Sequence, residues 1–318
     1  MRMLILGGTA FVGRAIVTDA LASGAEVTLF GRGRTGRELF PGVRRLLGDR
    51  DSGDYAALRG GEWDAVVDVS GYLLRQVREA ADVLEGSVGR YLFISSHAVY
   101  MRSGVGPGSD EDTPLRPPVV DPPVLDEDTY GPSKVACEQE VRERFGQRAT
   151  VVRPGKVVGP YDPSDTFAYW VRRAARGGRV AVPGDPRQPV QVVDCRDLAR
   201  LVVRLLEDDR PGAFHAVGPK EPVTLGGLVE TCARVAGSEV ELVPVPLDAV
   251  PPFFPLVRPY WPGQQRSAAR ARAAGMPSTP LESTVADVLA WDRERGEPPL
   301  QSGIGAEEEQ ALLDRYGA

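Results

Sequence analysis

Met3-Leu-Ile-Leu6, Gly7-Gly-Thr-Ala-Phe-Val-Gly13 and Arg14-Ala-Ile-Val-Thr-Asp-Ala-Leu-Ala22 follow one another without a break, and their reading decides the fold. The first is a short apolar run of the kind that makes a buried parallel strand. The last carries apolar residues at helical spacing, and Gly24 closes it. Glu26-Val-Thr-Leu-Phe30 reads as a second strand. Strand, glycine turn, helix, strand is the context a dinucleotide-binding turn requires. Gly7 permits the tight turn, Gly8 and Thr9 let the backbone approach a pyrophosphate, and Gly13 allows helix and strand to pack closely. The phosphates would rest on free amides at the helix start, among Ala10, Phe11 and Val12. Ala10 stands where the usual pattern has its middle glycine, so this turn is slightly bulkier.

The alternation continues outward. Val43–Leu47, Ala65–Val69 and Tyr91–Ile94 read as further strands, which predicts an α/β fold with a doubly wound Rossmann-type parallel sheet over the first 160 residues. Arg90-Tyr-Leu-Phe-Ile-Ser-Ser-His-Ala-Val-Tyr100 is an apolar strand ending in Ser95-Ser96, at the carboxyl edge where open α/β sheets place their ligands. Residues 101–129 are rich in proline and acid, which is loop chemistry, and are expected to arch over that edge.

Tyr130-Gly-Pro-Ser-Lys134 comes next and uses one of only three lysines in 318 residues. Four-residue spacing puts phenol and ammonium on one helix face, about one turn apart. There the ammonium is expected to lower the phenol's pKa and make it a proton donor and acceptor near neutral pH. Nine tyrosines and three lysines give about 0.08 such pairs by chance, so the pair needs its context. The glycine turn and the Ser95-Ser96 strand end supply it. The helix itself shows Val135, Glu138, Val141, Arg142 and Phe145, an amphipathic pattern suited to packing on a sheet.

With these motifs the chain resembles the extended short-chain dehydrogenase/reductases, the superfamily of NAD(P)-dependent epimerases, dehydratases and reductases. Gly48-Asp-Arg-Asp51 is similar to that family's adenine-contacting acidic motif. Val151-Val-Arg-Pro-Gly-Lys-Val-Val-Gly-Pro160 looks like its Arg-Pro segment, and Gln191-Val-Val-Asp-Cys-Arg-Asp-Leu-Ala199 like its late Asp-x-x-Asp-Leu-Ala segment. The resemblance covers nearly the whole chain. It implies catalysis by Ser96, Tyr130 and Lys134, with Lys134 also holding the nicotinamide ribose. It implies cofactor contacts from Asp49, Arg50, Ser70, Gly71, Ser95 and Pro154. A smaller substrate lobe is implied at residues 161–190 and 219–318, with 191–218 returning to the dinucleotide-binding domain of residues 1–160. A homodimer through the helices after Tyr72 and Tyr130 is implied as well. Gly-Gly-Thr-x-Phe-x-Gly together with Val-Thr-Leu-Phe-x-Arg-Gly also resembles a branch that includes chloroplast stem-loop RNA-binding proteins.

Departures from the family pattern narrow the reaction. Dehydratases carry Asp-Glu after the active-site hydroxyl residue, whereas this chain has His97 and Ala98, which disfavours dehydration. Lys156 replaces the asparagine that helps sugar-nucleotide members bind diphosphate, and a lysine there suggests an anionic group in the substrate. His97, Lys156 and Gln191 are the substrate-binding candidates. His215, in the apolar strand Ala213-Phe-His-Ala-Val217, reads as structural. The second strand ends Phe30-Gly-Arg-Gly-Arg34 with no carboxylate in place for an unphosphorylated ribose. Arg32 or Arg34 can pair with a 2′-phosphate, so NADP(H) is expected over NAD(H).

Composition agrees with a soluble enzyme. Hydrophobic residues make up 42% and charged residues 26%, ordinary for a globular chain. A formal net charge of -6 gives no support to a nucleic-acid surface. No run approaches the roughly 18 apolar residues that span a membrane, and the start breaks into glycines too soon for a signal peptide. Three cysteines without metal-type spacing read as reduced thiols, so the expected location is the cytoplasm. Pro251-Pro-Phe-Phe-Pro255 and Pro259-Tyr-Trp-Pro262 are expected to fill the small lobe's core, with the lining of a pocket as the alternative. The expected function is an NADP(H)-dependent oxidoreductase or epimerase acting at a hydroxyl or carbonyl carbon of a small polar, anionic or nucleotide-sugar metabolite, with no nucleic-acid or membrane partner. The competing expectation is a non-catalytic member that senses the dinucleotide or binds RNA or protein.

Overall fold

The computed structural model describes residues 1–101 and 105–317. Two compact units result, one from Met1–Gly155, Cys195–Val217 and Arg266–Pro277, the other from Lys156–Asp194, Gly218–Gln265 and Ser278–Ala318. In the first unit the chain runs β1 (Arg2–Leu6), α1 (Phe11–Ala22), β2 (Glu26–Gly31), β3 (Arg44–Leu47), β4 (Trp63–Asp68), α2 (Leu74–Leu84), β5 (Val88–Ile94), α3 (Tyr130–Phe145) and β6 (Ala149–Pro154). Helix Cys195–Glu207 and strand Gly212–Ala216 complete it. The seven strands are ordered Gly212–Ala216, β6, β5, β4, β1, β2, β3, and all neighbours are parallel. Strand order reverses between β1 and β4, which opens a crevice at their carboxyl ends.

Burial follows the sequence. Met3, Leu4, Ile5 and Leu6 are fully buried, as a central parallel strand covered on both faces demands. Leu4 and Leu6 join Val77, Leu84, Val141 and Phe145 under α2 and α3. Each such side chain contributes about 1.5–3 kcal/mol. Gly24 has φ +81 and ends α1 in the left-handed conformation that glycine adopts without strain.

Helix α3 departs from simple amphipathicity. Lys134, Glu138 and Glu140 are buried along with Val135, Val141 and Phe145. The helix is enclosed by the sheet, by α2 and by the short turn His97–Val99, so polar residues face protein on several sides. Glu138 is held by a bidentate Arg153 guanidinium at 2.9 and 2.7 Å, and Glu140 by Arg78 and Arg144.

Residues 266–277, expected in the small lobe, pack instead with the first unit. Two hydrogen bonds explain this. Ser267 N–H donates to the Ser109 carbonyl at 2.9 Å, and His215 Nδ1 lies 2.9 Å from the Ser267 carbonyl oxygen. Residues 156–160 and 191–194 fall on the second unit's side, where Lys156–Val158 pairs with Val192–Asp194.

In the second unit, helices Thr166–Ala175, Leu225–Ala236 and Leu281–Glu294 pack together beside the parallel pair Gly178–Pro183 and Val240–Val245. Trp170 and Phe254 lie in this core, and the Trp170 indole donates to the Pro255 carbonyl. Of the four aromatics in the aromatic-proline segments only Phe254 fills core, since Phe253, Tyr260 and Trp261 are exposed. All three cysteines are buried and free. No metal-type cluster occurs among the described residues, and no described helix is long and apolar enough to cross a membrane.

His215 is structural and neutral. The Ser267 carbonyl can only accept, so Nδ1 carries the proton and Nε2 accepts from the Tyr100 hydroxyl, whose oxygen accepts from Arg153 at 2.6 Å. Burial lowers the imidazole pKa to about 4. The unfolded chain therefore binds more protons between about pH 4 and 6.5, and stability rises with pH across that window by up to about 3 kcal/mol. Urea titrations at pH 4.5 and 6.5 should show this slope in the wild type and a flatter one in His215→Asn; equal slopes would contradict a buried neutral imidazole.

Candidate active site

Six consecutive parallel strands deliver their carboxyl ends to one edge, and the expected cofactor and catalytic residues of the first unit lie on that edge or on α3. After β1, Gly7 has φ +91, and a Cβ on Gly13 would stand 2.0 Å from the Gly7 carbonyl oxygen. The amino end of α1 is thus pressed against the turn, as a pyrophosphate cradle requires. Ala10, the N-cap, supplies no side-chain bond to the first-turn amides of Phe11, Val12 and Gly13. Thr9 touches Thr35, Oγ1 to Oγ1 at 3.2 Å, so the loop after β2 meets the glycine turn. These residues fit the phosphates of a dinucleotide.

That loop carries Arg32 and Arg34, both exposed. Two carboxylates stand beside them, contrary to the expectation of none, because β3 runs parallel to β2 and brings its own loop to the same edge. Arg32 lies 3.6 Å from Asp51 and Arg34 3.6 Å from Asp49. Arg50 is corrected outright. Its side chain is buried, donating to both Asp68 oxygens, to Ser70 Oγ and to the Gln76 carbonyl. With the Tyr91 hydroxyl also on Asp68, this is a supporting network under the edge rather than a cofactor contact. Ser70 Oγ bonds the Leu6 carbonyl, which ties the ends of β4 and β1.

The serine, tyrosine and lysine expected to be catalytic assemble after β4 and β5. Lys134 is 2% exposed, and its ammonium donates to the carbonyls of Gly71 at 2.7 Å and Ile94 at 2.8 Å. It also sits 4.4 Å from the Phe93 ring centroid, within cation–π range. Ser133 donates to the Tyr72 carbonyl at 2.7 Å, fixing the first turn of α3 to the loop after β4. The Ser96 hydroxyl stands near enough to the Tyr130 phenol to oppose the upward push on its pKa, and Ser96 Oγ accepts from Ala98 N–H at 3.1 Å. Gly131 has no room for a side chain, since a Cβ would meet the Ala98 carbonyl at 2.1 Å. The close approach of α3 to the 97–99 turn is what brings phenol and serine together. Ser95 Oγ is buried and has no hydrogen-bond partner among the described residues. Pro154 ends β6, buried beside Ala216.

Lys156 and Gln191 belong to the second unit. Lys156 donates to Ser164 at 2.8 Å and lies 3.6 Å from Asp162, so its charge is already balanced. Sequence reasoning missed Arg266. Its Nη1 lies 3.2 Å from His97 Nδ1, and its guanidinium stands 5.2 Å from the Tyr100 ring centroid. Only the fold of residues 266–277 brings that arginine next to the residue after Ser96.

The pattern of the NAD dependent epimerase/dehydratase family matches residues 62–216, a span that includes Ser96, Tyr130, Lys134 and the Arg153-Pro154 segment. The matched span is just under half of the chain, and over it the chain is similar to that family. It is 28% identical over 262 residues to the chloroplast stem-loop binding protein of 41 kDa b of Arabidopsis thaliana, covering 76% of this chain and 65% of that one. The chain thus spans slightly under two thirds of this relative's length. It is 26% identical over 258 residues to 2′-dehydrokanamycin reductase of Streptomyces kanamyceticus, covering 78% and 70%. The structure of UDP-glucose 4-epimerase from Thermus thermophilus, a complex with NAD, superposes with TM-score 0.69 at 21% identity over 92% of this chain and 99% of that one. A nicotinamide dinucleotide is the cofactor this family implies.

One electrostatic expectation is overturned. Burial pushes the Tyr130 phenol up, to about 12, and only the Ser96 hydroxyl opposes it. The reason is geometric, since the ammonium of Lys134 is turned into the two carbonyls. Burial lowers Lys134 itself to about 8. The unfolded lysine, with a pKa near 10.4, binds more protons than the folded one between about pH 8 and 10. This group's contribution to stability therefore rises with pH through that window. The stability difference between wild type and Lys134→Met, measured by urea unfolding, should shift in favour of the wild type from pH 8 to pH 10. A difference constant with pH would contradict the buried ammonium.

Proposed function

We propose that this protein is an NADP(H)-dependent reductase or epimerase acting at a hydroxyl or carbonyl carbon of a polar metabolite, anionic or sugar-nucleotide-like. The observation that carries the reading is the buried Ser96–Tyr130–Lys134 arrangement at the sheet edge. A buried lysine without a carboxylate in contact is costly to keep, and fold stability alone gives no reason to place one beside a serine–tyrosine pair. The bound nicotinamide would supply or accept the hydride and, when oxidised, positive charge near the phenol. Tyr130 donates or takes the proton at the substrate oxygen. Ser96 hydrogen-bonds the same oxygen and fixes its direction. Lys134, anchored on Gly71 and Ile94, would hold the ribose hydroxyls and keeps the first turn of α3 in register with the sheet. A relative is named as the reductase of 2′-dehydrokanamycin, a dehydro compound, which supports a substrate with a reducible carbonyl here.

Arg32 and Arg34 would receive the 2′-phosphate. Their present partners do not prevent it. Exposed ion pairs such as Arg32–Asp51 are worth about 0–1 kcal/mol, whereas hydrogen bonds to a charged group reach about 1.5–3 kcal/mol. A phosphate dianion therefore displaces the aspartates.

Two measurements test the reading. Tyr130→Phe should lower turnover with a carbonyl panel by roughly a thousandfold, within the range of general acid–base catalysis, while NADP affinity stays within a few-fold; full activity would remove Tyr130 from the chemistry. Arg32→Ala/Arg34→Ala should weaken NADP binding by roughly tenfold or more and leave NAD binding nearly unchanged. Tighter NAD than NADP binding in the wild type would refute the cofactor assignment.

A second reading, a non-catalytic RNA-binding member, is favoured by the 28% identity to the stem-loop binding protein. The net charge of -6 opposes it. Stem-loop RNA binding at physiological salt, in protein that turns over no carbonyl substrate, would decide for this alternative.

A further inference from the structure

We propose that Gln76 is a positioning residue that joins the phosphate end of the cofactor site to its reacting end, so that a 2′-phosphate held by Arg32 tightens the loop on which Lys134 is anchored. The inference rests on the cofactor and active-site readings above and adds a link between them. Gln76 is 6% exposed and sits in the first turn of α2. Its Oε1 accepts from the Tyr72 and Leu73 N–H groups at 3.1 and 3.2 Å. A glutamine at this helix position commonly reaches back to the N-cap amide, and capping alone explains that half of the side chain. It does not explain the other half. Nε2 donates at 2.8 Å to Oδ1 of Asp51, which comes from the loop after β3, and Oδ2 of the same carboxylate lies 3.6 Å from Arg32 Nη1.

The loop that Oε1 holds carries the site. The Gly71 carbonyl accepts from Lys134 and the Tyr72 carbonyl from Ser133, each at 2.7 Å. The backbones on both sides of the link are pinned independently of it. The Gln76 carbonyl accepts from Arg50 at 3.0 Å and from the Tyr55 hydroxyl at 2.7 Å, and the Arg75 guanidinium donates to the Asp51 carbonyl at 3.0 Å. What can change is how the Asp51 carboxylate divides its charge. At present it is shared between Arg32 and Gln76. A phosphate that takes Arg32 leaves the carboxylate to Gln76, and a hydrogen bond to a carboxylate gains strength from that charge. The side-chain amide is conjugated, so a stronger pull on its Nε2–H makes Oε1 a better acceptor for both loop N–H groups. NADP(H) thereby firms the mount of Lys134 besides gaining affinity, whereas a cofactor without the 2′-phosphate leaves Asp51 divided.

The test uses the full chain labelled with 15N in its nine tyrosines, Tyr72→Phe identifying the Tyr72 amide. Adenosine 2′,5′-bisphosphate and adenosine 5′-monophosphate are titrated separately at constant ionic strength. Both lack the nicotinamide half, so a change at Tyr72 must come through the protein. The bisphosphate should move the Tyr72 amide proton downfield saturably, and the monophosphate should leave it nearly still. Asp51 is exposed, so Asp51→Ala spares the core. That variant should bind the bisphosphate at least as tightly as the wild type and lose the Tyr72 shift. Gln76→Leu should lose the shift as well, and Asp51→Ala decides alone if the leucine variant does not fold. A glutamine that only caps α2 predicts no shift in any of these proteins. Tighter binding of the bisphosphate with Tyr72 unmoved, or moved equally in wild type and Asp51→Ala, overturns this proposal alone. Bisphosphate binding no tighter than that of the monophosphate overturns it together with the NADP(H) assignment. Turnover does not enter, so the catalytic assignment is read separately from Tyr130→Phe.

Discussion

A lysine ammonium sealed between two backbone carbonyls is the constraint on which the site depends. Removing such an ion from water costs several kcal/mol. The bonds from Lys134 to Gly71 and Ile94, each worth about 1.5–3 kcal/mol, roughly offset that cost, and burial still lowers its pKa. The two carbonyls come from the loop after β4 and the end of β5, so one side chain ties α3 to both strands. Tyr130 lies one turn before the lysine, and the same tie sets its distance to Ser96. The phenol is thereby placed by the fold, while its acidity is not yet tuned in the chain by itself.

The first unit was legible because its signals are local. Apolar runs, a glycine turn and helical spacing each specify one element, and parallel pairing follows from their alternation. Gly7, Gly13, Ser95, Ser96, Tyr130 and Lys134 could be found from motifs for the same reason. What sequence could not show was where side chains turn once buried. Arg50 sits in a motif associated with cofactor contact, yet its guanidinium is drawn inward by the buried Asp68. Asp49 and Asp51 were seen, but their meeting with Arg34 and Arg32 depends on the register between β2 and β3. The phenol's acidity was misjudged because four-residue spacing fixes a shared helix face and says nothing of which atoms the ammonium contacts.

Long-range placement accounts for the rest. Residues 266–277 read as a continuation of the small lobe, and long-range contacts, among them hydrogen bonds to Ser109 and His215 and the Arg270–Glu111 ion pair, return them to the first unit. Arg266 was invisible for that reason. In an arginine-rich chain a single arginine carries little signal until the fold gives it a neighbour. The aromatic-proline segments show the converse, since composition alone did not separate the buried Phe254 from the exposed Phe253, Tyr260 and Trp261.

In the proposed function, the fold presents a tyrosine whose proton becomes mobile only when positive charge arrives beside it. The ionisation of Tyr130 can be followed directly with 13Cζ-labelled tyrosine, using Tyr130→Phe to identify its signal. With protein alone the phenol should titrate near 12. With NADP⁺ bound it should titrate at least two pH units lower. A signal that titrates at the same pH in both states would contradict the account at its centre.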